Sequence, residues 1–529
     1  MFWVKCGQKY AKLPRKRVTQ RKGSDNMWIL DELKKLSDSE QTALIHRERR
    51  IAFRQLWQQS EAAASYIKKI CRTNAPIVIY GNKDIEITVL MLAALKTGRA
   101  YVPLDITFPA SRVETIMQDV ENELLFNFSD EKVNLAPGCK ELNKEGLAQV
   151  IRDYAGDSVP ETGYVQEEDN CYILFTSGST GKPKGVQISK GNIVNFTKWF
   201  AKTCELSEGK QVVLNQVSYS FDVSVIPLYI YLSMGKTLFS IDKEMLDNTR
   251  MLFDYLKDSQ IAAWVSTPAF LEICSFDDSF DETMLPQLEN IILAGEVLTK
   301  KLVTALHRKF KNAKVVNGYG PTEGTVLLSA CEITDEMLQD EKSLPIGRIL
   351  KDGQYRICNE KEETVPEGET GELVVVSRSI SKGYFKNPEQ TAKAFFRTEE
   401  GQMGYRTGDL VFEQGGLLYY VARKDTQVKL NGFRIELNDI SSNLNLLEIV
   451  NNSVVLPVYK EERVAYLAAF VVLNERPEMS DLKIGIAIKK ELKELVPSYM
   501  VPRKIVILDQ FPMNINGKID RKKLAEEYL

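Results

Sequence analysis

The 529-residue chain predicts an α/β protein in two parts. The large N-terminal part carries parallel sheets flanked by helices and a small β subdomain, and a small α/β domain follows at the C-terminus. Three observations predict this. Short β-rich runs alternate with amphipathic or apolar helical stretches as far as about residue 420, the signature of βαβ units. After Gly371 the sequence turns β-rich without intervening helices. Beyond Asp425 a second compact set of strands and helices begins.

The elements follow in order. The first 26 residues carry eight Lys and Arg and no acid before Asp25. They lack the apolar core of a signal peptide. They are read as a basic, disordered leader or as translated sequence upstream of a start at Met27, dispensable in preference to a docking arm. PIVIYG (76–81) is a strand, IEITVLMLAALKTG a helix and AYVPLD a strand. YILF (172–175) is a buried strand ahead of a loop of glycines, hydroxyls and lysines, and NIVNFTKWF is an amphipathic helix. QVVLNQV, KTLFSID, AAWVSTP, ENIILAG and AKVVNGYG supply further strands. GELVVVS and GGLLYYVARK build the β subdomain. NNSVVLPVYK, YLAAFVVL, IGIAIKKELKEL and RKIVILDQF build the last domain. The boundaries predicted are 1–26, 27–424 and 425–529.

Composition narrows the function. Apolar residues make up 44% and charged residues 27%, with a net charge of −3. Nothing in that balance calls for nucleic acid or an anionic membrane as partner, and no apolar run approaches the ~20 residues that span a bilayer. The eight cysteines are scattered without a CxxC pair, as expected for free thiols in a cytoplasmic protein. Only two histidines occur, His46 and His307, which argues against a Ser-His-Asp hydrolase or a histidine metal site.

Five stretches read as site loops. In FTSGSTGKPKGV the glycines allow backbone N–H groups to turn inward, and hydroxyls and lysines add donors, so the loop suits a polyphosphate. It lacks P-loop spacing. NGYGPTEGTV sets Tyr319 and Glu323 among glycines, GYRTGDL places Asp409 in a turn before an apolar strand, and ARKDTQVKLNGFRIEL clusters charge around Gly432. NINGKID puts Lys518 directly after Asn-Gly, a strong hairpin-turn signal. Read singly, each is an ordinary turn or cap.

In this order and spacing, joined by LKTGRAYVPLD (95–105) and NINGKIDRKKL, the stretches resemble the adenylate-forming superfamily over residues 27–529. More specifically they resemble its amino-acid adenylation domains, with Ala422 where that family commonly has Gly. YSFDVSVIPLY, FSIDKEM and LPQLENIILAGEVL look most like D-alanine–carrier protein ligases. The resemblance implies ATP and Mg²⁺, an aminoacyl-adenylate, and transfer to a phosphopantetheine thiol of a carrier protein. By the same resemblance Thr176, Ser177, Gly178, Ser179, Thr180 and Lys184 hold phosphates. Asn317, Gly318, Tyr319 and Thr322 face the nucleotide, Asp409 takes the ribose hydroxyls with Arg423 nearby, and Glu323 holds Mg²⁺. Lys518 bridges the substrate carboxylate and the α-phosphate, Asp425 is the hinge of a mobile C-terminal domain, and Gly432 faces the thiol tunnel.

Asp222 matches the family's partner of the α-ammonium, and it also suits a helix N-cap. Its presence argues against an acyl- or aryl-CoA synthetase. Lys518, Asp409 and Glu323 together argue against a non-catalytic relic. The side-chain pocket implied is Val223, Ile226, Val265, Ile292, Ala294, Gly318, Val326 and Leu327, all apolar or lacking a side chain, so the substrate side chain is expected to be apolar. Ala294 and Gly318 suggest room for a residue larger than alanine. The expected function is amino-acid adenylation in nonribosomal peptide synthesis, with D-alanylation of teichoic acid through a carrier as the alternative. The carrier is expected on a separate protein or module, and the enzyme is expected to be a monomer.

Overall fold

The computed structural model describes residues 27–178, 182–460, 463–513 and 519–529. The basic leader, Ser179, Thr180 and Lys518 therefore lie outside the described residues.

Two large sheets form the N-terminal part. The six-stranded sheet runs Lys140–Leu142, Leu124–Asn127, Ile77–Gly81, Tyr101–Asp105, Asn170–Thr176, Lys184–Ser189. Every neighbouring pair is parallel except the last, a hairpin pairing Thr176 with Lys184. The nine-stranded sheet has a parallel centre of Lys314–Tyr319, Asn290–Ala294, Ile261–Ser266, Val212–Asn215, Thr237–Ser240 and Thr42–His46, with antiparallel strands at both ends. The helix Ile85–Lys96 is buried on every side except at Glu86, as an all-round apolar helix must be. Its side chains join residues of both sheets in one apolar core.

The β subdomain is a five-stranded antiparallel sheet built on the long strand Met403–Gln414. Next come a two-stranded hairpin, Gln427–Leu430 with Phe433–Glu436, and a three-stranded sheet of Val450–Lys460, Arg463–Leu473 and Lys504–Leu508. These last elements have apolar cores of their own, one around Ile435, Ile440, Leu467 and Ile488 and one around Leu456, Phe470 and Leu524.

Three of the candidate site residues stand at the carboxyl ends of parallel strands. Thr176, Ala294 and Tyr319 each close one, and ligands in open α/β sheets bind beyond those ends.

Candidate functional site

On the first side of the cleft, strand register sets the charges. Asp409 and Arg423 are paired across adjacent strands, so the guanidinium Nη1 donates to Asp409 Oδ1 at 2.9 Å. The Tyr319 hydroxyl donates to the other oxygen at 2.5 Å. Arg423 also grips both oxygens of Asp425, at 3.0 and 2.6 Å. Asn317 is buried, and its amide donates to the Pro345 carbonyl at 2.8 Å. Asn317, Gly318, Tyr319, Arg423 and Asp425 border a cavity of about 730 Å³, within the usual size range of ligand sites.

Next to it lies the hydroxyl-rich loop. Ser177 Oγ donates to the Arg434 carbonyl and accepts the Glu436 N–H, both at 3.0 Å. Lys184 Nζ approaches the Tyr384 hydroxyl at 3.5 Å, and burial, then Arg434, pulls its pKa down. Glu323 is fully buried. Its Oε1 accepts from Tyr384 at 2.7 Å and its Oε2 from Arg434 Nη1 at 2.5 Å. Burial alone would raise its carboxyl, but the Arg434 and Lys184 charges outweigh that and hold it at about 2. Among the described residues no three His, Cys, Asp or Glu side chains gather into a metal site. Arg434 and Tyr384 take both Glu323 oxygens in this arrangement, so a Mg²⁺ drawing its other ligands from phosphate and water would be held by Glu323 only with Arg434 withdrawn.

Asp222 opens a 3₁₀ turn, Asp222–Ser224, which leads into a π-helical turn, Ile226–Tyr231. Phe221 is the N-cap residue and no side chain caps this turn, so the capping role is not taken. Burial pushes the Asp222 carboxyl up to about 6, with the Thr322 hydroxyl opposing. Asp222, Val223, Ala294, Thr322 and Val326 border a small cavity of about 20 Å³ that Lys429, Gly432 and Arg434 also line. Ile226, Val265, Ile292 and Leu327 are buried in the same apolar cluster as Val223, Ala294 and Val326. Val326 and Thr325 have φ of 70° and 57°, a left-handed conformation that β-branched residues rarely adopt and that clusters at ligand sites.

One expectation is corrected here. Gly318 does not leave free space. A Cβ at Gly318 would stand 2.8 and 2.9 Å from the two methyl carbons of Leu327, so Leu327 already fills that side. Ala294 and Gly318 are direct neighbours across two strands; Ala294 borders the small cavity, while Leu327 takes the space at Gly318.

The hairpin of residues 427–436 reaches into the cleft. Asn431 and Gly432 have φ of 52° and 85°, the mirror-image two-residue turn that Asn-Gly favours. A Cβ on Gly432 would lie 2.4 Å from Thr267 Cγ2, so only glycine fits. The Gly432 N–H donates to Glu296 Oε1 at 2.7 Å and the Ala269 N–H to Glu296 Oε2 at 3.0 Å. Elsewhere Arg463 donates to Glu272 at 2.7 Å and to Thr299 at 2.9 Å, and Ser111 to the Glu494 carbonyl at 2.6 Å.

Sequence reasoning passed over Glu296, Tyr384, Lys429 and Arg434. A signal existed for two of them: QVKL and FRIE flank an Asn-Gly pair, the same hairpin signature read at Asn516-Gly517. Glu296 and Tyr384 had none.

The site and fold define an adenylate-forming enzyme. The AMP-binding enzyme family matches residues 35–385 and the AMP-binding enzyme C-terminal domain matches residues 439–518. The chain belongs to this family and is an AMP-forming ligase. Its relatives include the D-alanine–D-alanyl carrier protein ligase of Bacillus licheniformis, 39% identical over 507 residues, covering 95% of this chain and 99% of the relative. A protein of the same name from Bacillus cereus is 40% identical over 489 residues, covering 92% and 96%. Among solved structures, an artificially fused adenylation–PCP di-domain from Klebsiella oxytoca superposes with a TM-score of 0.78 at 22% identity, covering 91% of this chain and 93% of that one. The Vibrio cholerae adenylation domain AlmE, solved with glycyl-adenosine-5′-phosphate, has a TM-score of 0.77 at 20% identity and coverage of 98% and 100%. These two share the fold.

Proposed function

We propose that this enzyme joins D-alanine to ATP as D-alanyl-AMP and then passes the D-alanyl group to the phosphopantetheine thiol of a carrier protein. The observation that carries the reading is Leu327 packed over Gly318, which narrows the side-chain pocket around Val223, Ala294 and Val326. A methyl side chain suits such a space, and a bulky apolar one does not. The relatives' shared name points the same way, so the peptide-synthetase reading with a larger apolar substrate gives way to the D-alanine ligase reading.

In this scheme Asp222 pairs with the substrate ammonium, and Asp409, Tyr319, Asn317 and Thr322 orient the nucleotide. Thr176 to Lys184 hold the β- and γ-phosphates. Mg²⁺ bound at Glu323 supplies charge neutralisation. Lys518 draws carboxylate and α-phosphate together. The carboxylate oxygen attacks the α-phosphorus and the bond to pyrophosphate breaks, a reaction governed by positioning and electrostatics. The C-terminal domain then turns about Asp425 and brings the Gly432 hairpin to the site. The thiol proton passes to solvent, sulfur attacks the acyl carbon, and the bond from that carbon to the phosphate oxygen breaks as AMP leaves. The observed insertion of residues 427–436, with Arg434 on Glu323 and Ser177 on the Arg434 and Glu436 backbone, supports assigning the described arrangement to this second step. The relatives' shared name supports a carrier protein as the acceptor.

The test is pyrophosphate exchange with D-Ala, L-Ala, Gly, L-Leu and L-Phe, followed by loading of a phosphopantetheine-bearing carrier. D-alanine should give the highest kcat/KM. A clear preference for a bulky residue would return the peptide-synthetase reading.

A further inference from the structure

We propose that Glu296 is a positioning residue for the thioester-forming step, its carboxylate fixing the Asn431–Gly432 turn over the amino-acid cavity. The proposal rests on the two-step reading given above.

The geometry carries it. One carboxylate bridges two backbone N–H groups from different parts of the chain, Gly432 at 2.7 Å and Ala269 at 3.0 Å. Ala269 lies in the first turn of the helix Pro268–Ser275, where backbone N–H groups have no partner inside the helix. Glu296 therefore satisfies an orphan donor of the N-terminal part and ties the hairpin tip to it with the other oxygen. Both bonds are of the charge-assisted kind, the stronger class.

The placement is specific. Glu296 follows Ala294 and Gly295, which both border the amino-acid cavity, so the carboxylate sets the tip against the cavity wall itself. On the opposite side Thr267 stands so close to Gly432 that a single added carbon would collide at 2.4 Å. The tip is held by Glu296 and stopped by Thr267. The cations that face Glu296 are Arg463 and Lys429. Arg463 is committed to Glu272 and Thr299, so the described contacts of Glu296 are the two N–H groups. Its neutral isostere cannot serve both of them: a carboxamide offers one oxygen and turns an NH₂ towards the second N–H.

The experiment compares the two half-reactions in the full-length enzyme, using whichever amino acid the wild type adenylates. Pyrophosphate exchange reports the first step. Single-turnover transfer from preformed aminoacyl-adenylate to carrier reports the second. In E296Q and E296A the transfer rate should fall about 10- to 100-fold, the scale of one lost hydrogen bond to a charged group. Exchange should change less than about threefold, because adenylate formation precedes the step in which the hairpin tip reaches the site. E296D, which keeps the charge on a shorter arm, should recover part of the transfer rate. Equal loss of exchange and transfer would mark Glu296 as merely structural and overturn the proposal, as would transfer at the wild-type rate. A wild type that prefers another amino acid would refute the D-alanine reading while the Glu296 comparison still runs on that substrate. A wild type that loads no carrier would overturn both.

Discussion

Opening the pocket at Leu327 should move the enzyme from alanine towards longer side chains. Leu327 is 1% exposed, and its methyl groups stand 2.8 and 2.9 Å from where a Gly318 side chain would begin. L327V removes one carbon and L327A removes three. A longer substrate that refills the space gains about 0.8 kcal/mol per methylene, or about 2.4 kcal/mol for three carbons, about 50-fold at ~1.4 kcal/mol per tenfold. The same substrate in the wild type meets an overpacking cost of about 1–3 kcal/mol. The ratio of kcat/KM for D-leucine over D-alanine should thus rise about fourfold in L327V and about 10²-fold or more in L327A. Truncating a buried leucine also costs about 2–5 kcal/mol of stability, so a thermal melt accompanies each assay and the valine variant guards against unfolding. If alanine activity drops and no longer substrate gains across the folded series, Leu327 does not wall the pocket and the size argument for D-alanine fails.

Three further outcomes follow from the assigned roles. K518A should nearly abolish adenylate formation, by ~10²–10³ for a lost preorganised charge contact, while transfer from preformed adenylate persists; equal loss of both would remove Lys518 from its role. Burial lifts the Asp222 carboxyl from the ordinary 3.8 to about 6. Folding therefore favours its protonated form, stability from this group falls as pH rises from about 4 through 6, and the carboxylate that pairs with an ammonium is lost as pH falls below 6. kcat/KM for the amino acid should drop towards tenfold per pH unit below 6 and flatten in D222N, and a level wild-type profile down to pH 5 would contradict this. D425P restricts the backbone dihedral and should depress carrier loading far more than pyrophosphate exchange, whereas parallel loss of both would indicate general destabilisation.

Much of this was legible in the sequence, and the limits have physical causes. The strands Ile77–Gly81, Tyr101–Asp105, Asn170–Thr176, Val212–Asn215, Thr237–Ser240, Ile261–Ser266, Asn290–Ala294 and Lys314–Tyr319 show in the sequence because each is a short apolar run closed by turn residues, whereas Leu124–Asn127, Lys140–Leu142 and Lys184–Ser189 went unread. The π-helical turn at Ile226–Tyr231 does not show, because VIPLYIY is a featureless apolar run and its hydrogen-bond register depends on what packs around it. Glu323, Asp409 and Asp222 show because local chemistry surrounds them in the chain. Their partners are hidden by distance: Arg434 lies 111 residues from Glu323, Tyr384 61 residues from it, and Glu296 136 residues from Gly432. Gly318 shows the deepest limit. The absence of a side chain there reads as open space, yet the fold brings Leu327 in to occupy it. A glycine in a pocket wall states only that its own position adds no bulk. Whether substrate or protein takes the volume is decided by a side chain elsewhere, and at this site the strained turn at Thr325 and Val326 stands directly before the one that takes it.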